Sequence, residues 1–154
     1  MAKKDPLFLV VVDESEEMHQ ALRFACGRAN AVGGKVGLLY CFSAEGFEYW
    51  AGVGEIMRAE AREEAETKLA IHADYARDLT GERPIMYVRE GDMREELLTL
   101  IDEELQISLL VLGADTKSDA IKCRWKTARA AGVKTRPRGR ALDRQQGLTA
   151  CAAT

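Results

Sequence analysis

The sequence predicts a doubly wound α/β domain with a parallel sheet over residues 1–115, followed by a basic tail over 116–154. Three observations carry that expectation. Apolar runs alternate with amphipathic stretches, and such alternation predicts parallel strands covered by helices on both faces. The runs are continuously apolar, as suits strands buried on both sides. The charge divides: residues 1–119 hold 13 Lys/Arg against 24 Asp/Glu, a balance of −11, whereas 120–154 hold 9 against one, a balance of +8.

Each element follows from its residues. Leu7-Phe8-Leu9-Val10-Val11-Val12 is a β-branched-rich first strand that stops at Asp13. Ser15 is a good N-cap, and Glu16 and Glu17 fall in the first helical turn, where the helix dipole favours acids. Met18, Leu22, Ala25, Cys26, Ala29 and Val32 recur at helical spacing, so 16–32 is an amphipathic helix. Gly33-Gly34 ends it. Residues 35–42 are the second strand. A Gly- and aromatic-rich connection follows, with Phe47, Tyr49 and Trp50 as a ligand cover, a dimer contact or core packing. The second helix runs from about Glu55 to Leu79, its stripe formed by Ile56, Ala61, Ala65, Leu69, His72 or Ala73, Ala76 and Leu79. Residues 85–89 are the third strand. Asp92 and Glu95 suit a variant capping box for a third helix that buries Leu97, Leu98, Ile101 and Leu105. Residues 107–112 are the fourth strand, ending at Gly113.

The length allows a core without disulfides or metals. No run of 18 apolar residues exists, so no membrane span is expected. The N-terminus lacks signal-peptide character, and the four scattered cysteines form no C-x-x-C. A cytoplasmic, reducing compartment is therefore expected, with no metal site.

Leu9-Val10-Val11-Val12-Asp13-x-Ser15 with Ala21-Leu22 and Ala25, then Arg89-Glu90-Gly91-Asp92, a helix and Leu110-Val111-Leu112-Gly113, resemble the universal stress protein family over residues 7–115. The resemblance implies a Rossmann-like sheet of strand order 3-2-1-4, with the family's fifth strand missing or not recognisable. It also implies a homodimer if the C-terminal part were intact, and a non-catalytic role in the stress response. The nucleotide-binding branch holds ATP with the Asp ending the first strand, backbone ending the second, and a glycine-rich loop after the fourth. The matching rim here is Asp13, Ser15, Cys41, Phe42, Gly113 and Ala114. Gly113-Ala114-Asp115-Thr116 departs from that loop, because no second glycine follows at the required spacing. Phosphates need converging backbone N–H groups, and Asp115 would repel them. No cofactor is therefore expected, and ATP is disfavoured. An ATP- or AMP-binding protein using Asp13 and Gly113, and a receiver-like signalling domain, are the alternatives. A receiver needs an Asp where this chain has Glu90. The related pyrophosphatases need an S-G-G-x-D-S loop, and the Rossmann G-x-G-x-x-G is absent too.

The tail reads as non-native or disordered. Shifted forward one base, the codons for residues 126–136 are compatible with a basic residue followed by P-P-G-P-L-V-S-K-L-G. That string is similar to the start of the family's fourth helix, so a frameshift is one reading and a natural basic extension the other. Without a fifth strand, the fourth would be an apolar edge that invites association, leaving Leu110 and Leu112 short of partners. Nonspecific anion binding by the tail is expected, but no specific nucleic-acid partner: Trp125 alone offers a stacking surface. Ser15 reads as a cap rather than a nucleophile, for want of an elbow motif or a triad partner. Cys41 reads as lining an adenine pocket or as a buried small hydrophobe. His19 and His72 read as isolated helical residues on the surface or in packing.

Overall fold

The run Leu7–Val11 forms β1, and all five of its residues are buried. The structure, a computed structural model, describes residues 5–43, 46 and 52–113, and residues 148–152 as backbone. After β1 come α1 (Glu16–Val32), β2 (Lys35–Phe42), α2 (Gly54–Thr80), β3 (Ile85–Glu90), α3 (Met93–Glu103), β4 (Ile107–Gly113) and β5 (Leu148–Ala152). The sheet order is β3-β2-β1-β4-β5. β1, β2, β3 and β4 run parallel, with Val10 beside Leu38 on one side and Val111 on the other. The 3-2-1-4 core is the expected one.

Alternation along the strands divides the core in two. Phe8, Val10 and Val12 meet α1 and α2, through Met18, Ala21, Leu22, Ala25, Cys26 and Ala29 of the first helix and Leu69, Ala73 and Ala76 of the second. Leu7, Leu9, Val11, Leu39, Leu110 and Leu112 face the other way and pack with Leu97 and Leu100 of α3. Gly33 closes α1 with φ 69°, a left-handed conformation that glycine adopts without a Cβ penalty. Asp92 caps α3, accepting from the N–H groups of Arg94 at 2.9 Å and Glu95 at 3.2 Å.

Several expectations are corrected. The edge of the sheet is covered, though not by the parallel fifth strand of the family: β5 pairs antiparallel with β4, Ala150 beside Val111. β4 is therefore not an edge, and Leu110 and Leu112 are buried at 0% and 8% exposure. Strand pairing uses backbone groups, and the run Leu-Thr-Ala-Cys-Ala has one β-branched residue to announce it. Leu105 is 89% exposed, because α3 stops at Glu103 and no helical face carries Leu105 inward. Leu100 takes the buried place instead. Ile56, Leu79 and Val32, near helix ends, are also exposed. The aromatic cluster of Phe47, Tyr49 and Trp50, together with Ala114, Asp115, Trp125 and the frameshift segment, lies outside the described residues.

Candidate functional site

The carboxyl ends of the parallel strands form the rim where open α/β sheets bind ligands. At the end of β1, the Val12 N–H still donates to the Leu39 carbonyl at 2.8 Å. Asp13 then leaves the ladder, half-buried. Its Oδ1 accepts from the Ser15 N–H at 3.0 Å and also from the Ser15 hydroxyl. Ser15 holds the N-cap position with extended dihedrals, but its side chain caps no helix N–H. Its cap role is thus positional, and its hydroxyl is spent on the carboxylate of Asp13. The next residue along the rim, Glu14, is tied down from α2: Lys68 Nζ lies 2.9 Å from Glu14 and 3.0 Å from Glu64. Those two carboxylates hold the Lys68 ammonium well above its ordinary range.

Gly113 ends β4 beside the first turn of α1. A Cβ there would lie 2.9 Å from the Glu17 carbonyl carbon and 2.9 Å from the Met18 nitrogen. Both atoms are backbone and cannot swing aside, so the position demands glycine for close helix packing. Asp13, Ser15 and Gly113 therefore surround one helix start.

Cys41 and Phe42 belong to a different part of the rim. Cys41 packs against the cluster that includes Leu39, Leu97 and Leu100. Burial pushes its thiol up to about 11, with Glu96 and Asp92 adding to the rise and Arg89 opposing it. Cys41 is itself half-buried. The Phe42 carbonyl accepts from the Gly91 N–H at 2.9 Å, which ties the end of β2 to the turn after β3. Glu90, at the place where a receiver needs Asp, is ion-paired with Arg58 of α2 at 2.8 Å.

A sizeable cleft lies elsewhere. It encloses about 320 Å³ between α2 and the edge strand β3, lined by Arg62, Leu69, Met86, Tyr87, Val88 and Arg89 among others. No group of three or more His, Cys, Asp or Glu side chains suited to a metal ion occurs among the described residues. None of the described helices is long and apolar enough to cross a membrane.

The reading of the histidines as isolated is corrected. His19 of α1 and His72 of α2 face each other, ring centroids 5.3 Å apart and planes tilted by 58°. Burial and the neighbouring His19 lower the His72 pKa. The signal in the sequence was the position of His72 beside Ala73, on the flank of the stripe that turns towards α1.

A model of the universal stress protein family matches residues 8–122. Among solved structures, a universal stress family protein from Burkholderia pseudomallei is similar at 21% identity and TM-score 0.61, over 85% of this chain and 93% of that one. The universal stress protein UspA from Lactobacillus plantarum aligns at 18% identity and TM-score 0.60, over 75% and 82%. A universal stress protein in complex with cAMP aligns at 17% identity and TM-score 0.57, over 80% and 90%. No curated protein matches. At these identities the structural likeness is one of fold, and the family rests on the match over most of the sequence: this chain belongs to the universal stress protein family.

Proposed function

We propose that the chain is a non-catalytic, ligand-sensing stress-response protein that does not hold ATP through a phosphate loop. One observation carries the reading. Gly113, the glycine that would open such a loop, is explained by the α1 backbone 2.9 Å from its missing side chain, so it need not serve a phosphate. The sequence Gly113-Ala114-Asp115-Thr116 supplies no second glycine nearby. The hydroxyl of Ser15 donates to Asp13, and the two histidines face each other on the α1–α2 seam, which argues against an activated nucleophile at the rim. The same reading takes the protein as cytoplasmic, and as a homodimer if its C-terminal part is intact, in line with its family.

A second reading is favoured by the half-buried Asp13 carboxylate at the β1 end. A nucleoside monophosphate needs no cradle for β- and γ-phosphates, and a fold relative was solved with cAMP. Titration calorimetry with ATP and Mg²⁺, AMP and cAMP tests both readings. The first expects ATP binding weaker than about 1 mM. Micromolar ATP affinity overturns it, and micromolar AMP affinity with no ATP affinity selects the second.

A further inference from the structure

We propose that His19 and His72 form a two-imidazole site for a divalent transition-metal ion of the Zn²⁺, Ni²⁺ or Cu²⁺ type, on the outer seam between α1 and α2. These are the chain's two histidines, and the fold brings them from separate helices to ring centroids 5.3 Å apart. With metal–nitrogen bonds of about 2.0–2.1 Å, two imidazoles on one tetrahedral ion have centroids roughly 5 Å apart. The rings are tilted by 58° rather than stacked in parallel, and one nitrogen from each would meet at the ion. Helices α1 and α2 are held in place beneath the rings by Leu22, Ala25, Leu69, Ala73 and Ala76, all buried. The two donors are therefore carried on a rigid seam.

The surroundings are compatible with a cation. Tyr75, one turn after His72, has its ring edge-on to that of His19, with centroids 6.5 Å apart. Glu16 lies one helical turn before His19, on the same side of α1. Lys68, one turn before His72, is neutralised by Glu14 and Glu64. His19 is exposed and His72 half-buried, so an ion can reach both. Imidazole donors suit Zn, Ni and Cu over the hard cations Mg and Ca. With no third His, Cys, Asp or Glu in place among the described residues, water completes the coordination. That makes the site one for reversible uptake rather than a structural centre.

The experiment is a Zn²⁺ titration of the full chain, followed by the ring resonances of the histidines in NMR spectra. Reading the rings themselves separates this site from any Zn²⁺ taken by the cysteines. Both rings should shift together in one 1:1 step. In His19→Gln the His72 ring should need roughly 10-fold or more Zn²⁺ for the same shift, because the second donor no longer closes the chelate, and His72→Gln should do the same to His19. Thermal unfolding without metal verifies that both variants fold. Rings that stay unmoved while Zn²⁺ binds, or a His72 midpoint unchanged by His19→Gln, would overturn the proposal.

Discussion

On one face of the sheet, α1 lies on β1 and β4 and α2 on β2 and β3, with Ala21, Ala25, Ala29, Ala73 and Ala76 buried beside Met18, Leu22 and Leu69; on the other, α3 lies on β2 and buries Leu97 and Leu100. Small residues let a helix backbone sit close to the strands, so the first face gains its density from proximity. On the second face leucine side chains fill the space between α3 and the sheet. Tolerance should therefore differ in sign: the alanine face resists added volume, and the leucine face resists its removal.

The sharpest way to break the comparison is to exchange the two kinds of change. Leu100→Ala, at a fully buried site, should cost about 2–5 kcal/mol in denaturant unfolding. A loss under about 1 kcal/mol would show that α3 collapses onto the sheet and that the leucine face is loosely built. Ala73→Leu, fully buried on the opposite face, should cost about 1–3 kcal/mol by overpacking. A stabilised variant would mean that the alanine face contains unfilled space. A smaller effect isolates α3 alone: Asp92→Ala removes the acceptor for the Arg94 and Glu95 N–H groups and should cost about 1 kcal/mol. Asp92→Asn should recover most of that, whereas equal losses in both variants would assign the effect to charge rather than capping.

The smallest effect leaves stability untouched. Among the described side chains each face carries one cysteine, and burial pushes both Cys26 and Cys41 up to about 11. Both thiols should then alkylate at pH 8 roughly 100-fold more slowly than a free thiol, because the thiolate is the reacting species. Peptide mapping after timed alkylation reads the two rates separately. If Cys41 reacts as fast as a free thiol while Cys26 does not, the leucine face is open to solvent.

Much of this architecture is legible in the sequence, because long apolar runs leave few alternatives. Leu7–Val12 has no polar residue, so it must be buried on both faces, and its neighbours follow. Asp13 and Gly113 are legible as rim residues because they end strands. What Gly113 does is not legible: its need comes from the backbone of Glu17 and Met18, distant in sequence. The same holds for the histidine pair, whose partners lie on different helices, and for β5, whose pairing is made by backbone groups. Leu105 misled in the opposite direction. Periodicity put it on the α3 stripe, but the helix ends two residues earlier.

The central claim is that Gly113 is glycine because α1 starts against it. Thermal unfolding of Gly113→Ala, with no nucleotide present, tests this most directly. The 2.9 Å approach to two backbone atoms predicts a loss of about 1–3 kcal/mol, seen as a melting temperature lowered by several degrees. An unchanged melting temperature, together with nucleotide affinity present in the parent chain and lost in the variant, would contradict it and return Gly113 to phosphate binding.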